Sequence, residues 1–168
     1  MVAEGGIVLA EELGRTRGSL LRLVDAVAPE RWAWRPREGA PSMLEALDRL
    51  ARFEEWLAER LHALITHPDL KWQHFRPPET PPDDAGRFLR HAEVLGRLSR
   101  AHHQVVKTLV GLDDELLARA GWDSEWGRVT VADLARRFAQ EERAAIGTIA
   151  ALLDEVGTGG AEQTVPPS

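Results

Sequence analysis

The chain has 168 residues, 43% hydrophobic and 29% charged, with a net charge of −6, a balance that predicts one globular domain with a substantial core. The acidic charge disfavours nucleic-acid binding, which depends on Lys and Arg neutralising phosphates, and the absence of cysteine excludes disulfides, zinc–thiolate sites and cysteine nucleophiles. No apolar run approaches the roughly 20 residues of a membrane-spanning helix, and the amino terminus lacks the basic and apolar regions of a secretory signal, so we expect a cytoplasmic protein that binds neither nucleic acid nor membrane.

The first half of the chain predicts two long amphipathic helices, in which apolar residues recur at three- and four-residue steps. The first helix spans about residues 7–27. The second begins at Ser42, where Glu45 three residues later completes a capping-box pattern, and it ends at about Thr66. We expect both helices to bury their apolar sides in a common core.

A proline-rich connection follows over residues 67–82 and cannot form one regular helix. A segment this long needs apolar contacts to stay ordered, so we expect Trp72 and Phe75 to anchor it over one end of the bundle. Trp72 and Trp34, which lies in the loop before the second helix, are candidates for an aromatic wall that binds a flat or apolar ligand. Ordinary packing of the loops on the bundle is the alternative, and it is the interpretation we favour.

The third long helix is predicted from about residue 83 to residue 110. His102 lies on its apolar stripe and is a weak candidate for proton transfer, because histidine is the side chain that ordinarily changes charge closest to neutral pH. A single histidine on such a stripe is more often a core residue that holds one hydrogen bond. Residues 113–120 predict a short helix, and residues 122–128 predict a loop.

The fourth long helix is predicted to be capped by Thr130 and Asp133. Its apolar stripe includes Phe138 and Ala145, and Glu141 falls on that stripe between them. A carboxylate that faces a core is costly unless it has a partner or a metal ion. The position of Glu141 therefore indicates a site in whatever part of the bundle lies opposite it.

No convincing strand is predicted, so the chain is expected to form an all-α, up-down four-helix bundle with a long crossover loop between the second and third helices. Its single domain would span residues 1–156. Residues 157–168 have almost nothing to bury and are expected to form a disordered tail.

Three segments carry a resemblance to a known family. LDDELLARAGW and GRVTVADLARRFAQEERAAIGTIAALL resemble the end of the DinB-like proteins, the DNA-damage-inducible family of four-helix bundles related to the mycothiol- and bacillithiol-dependent transferases. PERWAWRPREGAPSMLEALDRLARFEEWLAERL resembles the loop and second helix of that family. The resemblance covers roughly residues 7–153 and implies the same bundle fold. The family name describes how one member is expressed and is not evidence for DNA binding here.

The resemblance also implies a divalent metal site, held in the family by one histidine on the second helix and two on the fourth, four residues apart. The matching positions in this chain are Arg49, Glu141 and Ala145, and none of them is histidine. Arginine stays protonated and alanine has no donor atom, so neither is an ordinary metal ligand. We therefore expect no metal cofactor here. Zinc or nickel would bind only if the site were retained in an altered form.

Arg49 and Glu141 carry opposite charges at positions that the resemblance places in one pocket. We favour an ion pair that replaces the metal, and the alternative is a site in which Arg49 binds an anionic ligand. The function expected from these patterns is small-molecule binding or regulation. Two alternatives remain: an active metal-dependent enzyme, either a thiol-dependent transferase or a hydrolase with substituted ligands, and a module that forms a homodimer.

Overall fold

The computed structural model describes residues 4–78 and 89–159. Four long helices form a bundle, in which the first and second helices each pack against both the third and the last. The predicted four-helix bundle is confirmed. Among the described residues, none of the helices combines the length and the apolar character that crossing a membrane requires. The helices are α1 (Glu4–Asp25), α2 (Met43–Thr66), α3 (His91–Val110), the short α4 (Asp114–Leu117) and α5 (Val131–Gly159).

The predicted caps fix the starts of α2 and α5. The Ser42 side chain accepts a hydrogen bond from the backbone of Glu45 at 3.1 Å, and the Glu45 carboxylate accepts one from the backbone of Ser42 at 2.8 Å. Thr130 and Asp133 exchange the same two bonds at 3.0 and 2.9 Å. Both capping boxes are confirmed, and each satisfies two backbone N–H groups at a helix start.

Two predicted boundaries differ from the structure: the start of the third long helix and the end of the domain. Arg90 has extended backbone (φ −114°), so α3 begins at His91 and does not run continuously from residue 83. Residues 79–88, where the predicted start lies, are outside the described residues. At the other end of the chain, α5 continues to Gly159, past the predicted end of the domain at residue 156. The rest of the predicted tail also lies outside the described residues.

A small three-stranded sheet occupies one end of the bundle, where no strand was predicted. Its strands are β1 (Lys71–Trp72), β2 (Ala120–Asp123) and β3 (Gly127–Thr130), in the order β1-β2-β3, with β1 parallel and β3 antiparallel to β2. The loop prediction for residues 122–128 is therefore wrong for most of that segment. These strands are too short for alternation to reveal them in the sequence, and one pairing joins segments about 50 residues apart.

Two glycines make this sheet geometrically feasible. Gly127 has φ +74° at the hairpin turn, a conformation that L side chains rarely adopt. A Cβ atom on Gly121 would lie 2.6 Å from the backbone oxygen of Leu70, so the crossover segment approaches β2 only because that position has no side chain. Together they fix the crossover segment, from Leu70 to Pro78, against the hairpin of β2 and β3.

The apolar core consists of two clusters stacked along the bundle. Between them, every long helix contributes a polar side chain to a buried layer, described below. The cluster at the sheet end includes Leu13, Leu57, Val105 and Phe138, and the other cluster includes Leu20, Leu47, Leu98 and Ile149.

Candidate functional site

A cavity of about 400 Å³ lies between α2 and α5. It brings together Arg49, Glu141 and Ala145, the three positions at which the sequence resemblance places the family's metal site. Its walls are largely apolar, and the crossover segment contributes two prolines to them. The apolar lining residues are Pro41, Ala46, Leu50, Phe53, Pro77, Pro78, Leu89, Ala144 and Ala145, and the polar ones are Glu45, Asp48, Arg49, Arg52, Glu141 and Thr148.

The acidic residues that α2 contributes to the cavity are already neutralised. Glu45 pairs with Arg35 at 2.6 Å. Burial would raise the pKa of Glu45, but its hydrogen bonds with Arg35 and Ser42 lower it below the usual value. Asp48 accepts from Arg97 at 2.7 Å and lies 3.0 Å from the Nε of Arg52. Neither carboxylate is therefore available to a ligand without breaking an existing pair.

Arg49 and Glu141 differ from these residues. Within the described part of the chain, neither has an ion pair with the other or with any third residue. The Nε atom of Arg49 is buried and has no hydrogen-bond partner there. The ion pair that we favoured from the sequence is thus not formed, although both residues line the same cavity. What remains is an unpaired cation and an unpaired anion on facing helices.

An ion pair in which both side chains are buried lies deeper in the described part of the bundle. Arg17 on α1 donates from Nη2 to Glu54 on α2 at 2.7 Å and to Glu142 on α5 at 2.6 Å, and from Nε to Glu142 at 2.9 Å. Thr16 donates to the second oxygen of Glu142 at 2.5 Å. Glu54 and Glu142 are fully buried. We call these residues, together with His102 on α3, the polar layer.

The surroundings of the two carboxylates shift their pKa values in opposite directions. Burial raises the pKa of Glu54 well above its usual value, and the nearby negative charge of Glu142 adds to that rise against the opposing effect of Arg17. Burial would also raise the pKa of Glu142, but His102, Arg17 and Thr16 lower it below its usual value. The environment of Glu142 thus favours its ionised form beside Arg17, and that of Glu54 favours its neutral form.

The register of α5 explains why the sequence pointed to the wrong carboxylate. Glu142 follows Phe138 by four residues and precedes Ile149 by seven, which places it on the buried stripe. Its exposure is 0%, whereas Glu141 is only half-buried and faces the cavity. Arg17 and Glu54 were not predicted as site residues at all. The available signal was that both lie on the apolar stripes of their helices.

The remaining sequence candidates are dispersed. The His102 Nδ1 atom lies 3.7 Å from Oε1 of Glu142, which is within ion-pair distance but too far for a hydrogen bond, and it has no hydrogen-bond partner among the described residues. It belongs to the polar layer, not to the cavity. Trp34 is 48% exposed and lines a separate cavity at the end of the bundle with Arg31 and Leu152. Trp34 and Trp72 thus do not share one cavity wall, and the aromatic wall, which we ranked below ordinary loop packing, is not formed by this pair.

Trp72 instead anchors the crossover segment, as predicted. It is buried, and its Nε1 donates to Asp123 at 2.7 Å. The Nδ1 of His74 lies 3.0 Å from the same carboxylate. Phe75, the second predicted anchor, contacts the ring of Trp56 but remains 37% exposed. Asp123 thus holds the segment that brings Pro77 and Pro78 to the wall of the cavity.

The cavity residues do not fit a divalent metal ion. Of Arg49, Glu141 and Ala145, only Glu141 supplies a ligand atom, and an arginine beside it repels a cation. No group of three or more His, Asp or Glu residues in the described part of the chain could hold a metal. The metal-dependent chemistry that the resemblance implies therefore has no support from these side chains.

The family model of the DinB superfamily matches residues 12–149 of the chain. YfiT from Bacillus subtilis, described as a probable metal-dependent hydrolase with an unusual four-helix bundle topology, has a TM-score of 0.73 at 15% identity, with 94% of this chain and 90% of YfiT covered. TT2238, described as a four-helix bundle protein, has a TM-score of 0.63 at 20% identity, with 87% of this chain and 98% of TT2238 covered. No curated protein matches the chain.

Proposed function

The chain belongs to the DinB superfamily, and we propose that it is a small-molecule-binding protein whose cavity between α2 and α5 takes an anionic ligand without a metal ion. The observation that carries this proposal is the buried Nε of Arg49, which has no hydrogen-bond partner among the described residues. A buried donor on a charged group is costly to leave unsatisfied. A carboxylate or phosphate in the cavity would satisfy it with charge-assisted hydrogen bonds.

The surroundings of Arg49 support a ligand with an apolar body. Leu50 and Phe53 line the same cavity, and Ala145 leaves open the space that a larger side chain would fill. A volume of about 400 Å³ lies in the range of sites for small organic molecules. The likeness to YfiT concerns the fold, and its description as a probable hydrolase does not supply this chain with metal ligands.

The test compares charged probes with their neutral isosteres. Hexanoate and benzoate are titrated into the full chain by isothermal calorimetry after chelator treatment, and hexanamide and benzamide serve as neutral controls. At least one carboxylate should bind while its amide does not. Arg49→Gln should weaken that binding by about tenfold or more, since a hydrogen bond to a charged group contributes about 1.5–3 kcal/mol.

Arg60→Gln is the matched control variant. Arg60 is also on α2 and half-buried, and its Nε likewise lacks a partner among the described residues, but it does not line the cavity. Its replacement should leave carboxylate binding unchanged. Equal binding of acids and amides, or equal losses in the Arg49 and Arg60 variants, would contradict the proposal.

A further inference from the structure

Most charged side chains that line the cavity form ion pairs with other residues of the protein. Glu45 is paired with Arg35, and Asp48 is paired with Arg97 and Arg52. These pairs are local to α2 and its neighbours and need no ligand. Once they are accounted for, the described cavity lining retains one unpaired positive side chain and one unpaired negative side chain.

Those two side chains lie on different walls. Arg49 projects from α2 and Glu141 from α5, and both border the same volume without coming within 4.0 Å of each other. Their separation leaves space between opposite charges, and a ligand that bears only a carboxylate would satisfy Arg49 while leaving Glu141 unpaired.

From this arrangement we infer that the ligand is a zwitterion: a small amine-carboxylate, such as an amino acid or an ω-amino acid, with an apolar body. Its carboxylate binds Arg49 and its ammonium group binds Glu141, while the apolar part lies against Leu50 and Phe53. The inference rests on the proposed function, because it adds a second recognition element to the same cavity. It excludes neutral amides and simple cations as the preferred ligand.

The test uses two series in which one charge is removed at a time. L-leucine is compared with N-acetyl-L-leucine and L-leucinamide, and 6-aminohexanoate is compared with hexanoate, which covers adjacent and separated charges. Dissociation constants are measured on the full chain by calorimetry or by ¹H–¹⁵N chemical-shift titration. At least one zwitterion should bind about tenfold more tightly than its analogue that lacks the ammonium group.

Three variants test whether the tighter binding of the zwitterion depends on Glu141. Glu141→Gln should remove the preference for the zwitterion and leave binding of the carboxylate-only analogue unchanged, whereas Arg49→Gln should weaken both. Glu59→Gln on the exposed side of α2 is the control for loss of one negative charge and should change neither. The comparison of ligands on the unmodified protein stands even if a variant folds poorly.

The outcomes separate this inference from the proposal beneath it. If the carboxylate-only probes bind as tightly as both zwitterions and Glu141→Gln has no effect, the zwitterion is wrong and the anion site stands. If none of the carboxylates or zwitterions binds, both are overturned.

Discussion

Arg17 and Glu142 are joined by two hydrogen bonds inside the bundle, because Nε and Nη2 of Arg17 both donate to the same oxygen of Glu142, at 2.9 and 2.6 Å. The side chain of Arg17 is 8% exposed and that of Glu142 is 0% exposed. The pair lies between the two apolar clusters, where water cannot replace a lost partner. Such a pair adds little net stability, because the cost of removing both charges from water offsets their attraction.

Replacing one member of this pair should lower the free energy of unfolding far more than replacing both. Arg17→Met should lower the free energy of unfolding by about 3–5 kcal/mol, because it leaves Glu142 as an uncompensated buried charge, whereas Glu142→Leu should cost less, because Arg17 keeps its hydrogen bond with Glu54. The double variant should recover much of that loss. Denaturant unfolding of the four proteins measures the coupling. The exposed pair Arg136–Asp133 serves as the control, and its coupling should not exceed about 1 kcal/mol.

The two buried glutamates should respond in opposite ways to replacement by glutamine. The pKa of Glu54 is raised in the folded protein, so its stabilising contribution is complete below its ordinary pKa of 4.5 and is lost as the pH rises towards the folded value. Glu54→Gln has no carboxyl group at this position, so the variant does not lose this stability as the pH rises. Relative to the unmodified protein, the variant should gain stability as the pH increases above about 5, by up to ~1.4 kcal/mol per pH unit.

Glu142→Gln provides the contrast. The pKa of Glu142 is lowered, so its contribution is present above its ordinary pKa of 4.5 and is lost as the pH falls through the folded value. This variant should be destabilised at neutral pH and approach the unmodified protein in acid. Thermal or denaturant unfolding between about pH 2 and pH 8 measures both responses, because the Glu142 response lies below pH 4.5 and the Glu54 response above it. If the two variants have parallel pH profiles, the opposite directions given for the two pKa shifts are wrong.

Asp123 should control whether the crossover segment stays closed. Besides Trp72 and His74, its carboxylate accepts hydrogen bonds from the backbone of Glu125 and Trp126 at 2.8 and 2.9 Å. Asp123→Ala removes all of these contacts, so trypsin should cleave at Lys71 much faster in the native variant than in the unmodified protein. Carboxylate binding should weaken in parallel.

The control for Asp123→Ala is Glu125→Gln. Glu125 lies 3.1 Å from Arg76 and 3.8 Å from Nε2 of His74, but its side chain is more than half exposed, and exposed ion pairs contribute little to stability. This variant should be cleaved at the unmodified rate. Rapid cleavage of the unmodified protein at Lys71, without unfolding, would show that Asp123 does not hold the segment.

The sequence predicted the helices well because each bundle helix repeats its apolar residues over several turns and two of them carry capping boxes. Two residues of the polar layer also lie on these apolar stripes. Arg17 lies one helical turn from Leu13 and from Leu20. Glu54 lies one helical turn from Leu50 and from Leu57. The sequence pattern of one helix does not identify the side chains that it contacts on another helix. The layer emerges only when all four stripes meet at one level.

Two errors had local causes. Adjacent residues on a helix differ by about 100° in direction, so a stripe drawn through Ala145 selected Glu141, whereas Phe138 and Ile149 together select Glu142. The sheet was missed because β1 and β2 are stabilised by pairing across the chain and by Asp123, not by a run of strand-forming residues. The cavity could be placed only through the family resemblance, and its unpaired charges only through the structure.

The last prediction concerns metal. Purified protein should carry no stoichiometric divalent ion, because Arg49, Glu141 and Ala145 provide one carboxylate and no imidazole. Replacing all three by histidine should create a site, since residues 141 and 145 share a face of α5 and both border the cavity with residue 49. Elemental analysis after expression with zinc and nickel should then find about one ion per chain.

A shifted triple variant tests whether geometry or histidine content causes that gain. Arg49→His combined with Arg143→His and Gly147→His keeps the four-residue spacing but places the pair on the exposed side of α5, so it should bind no metal tightly. One ion per chain in the unmodified protein, lost on Glu141→Gln, would contradict the metal-free assignment. Equal metal binding by both triple variants would instead show that the gain comes from the added histidines and not from the geometry of the cavity.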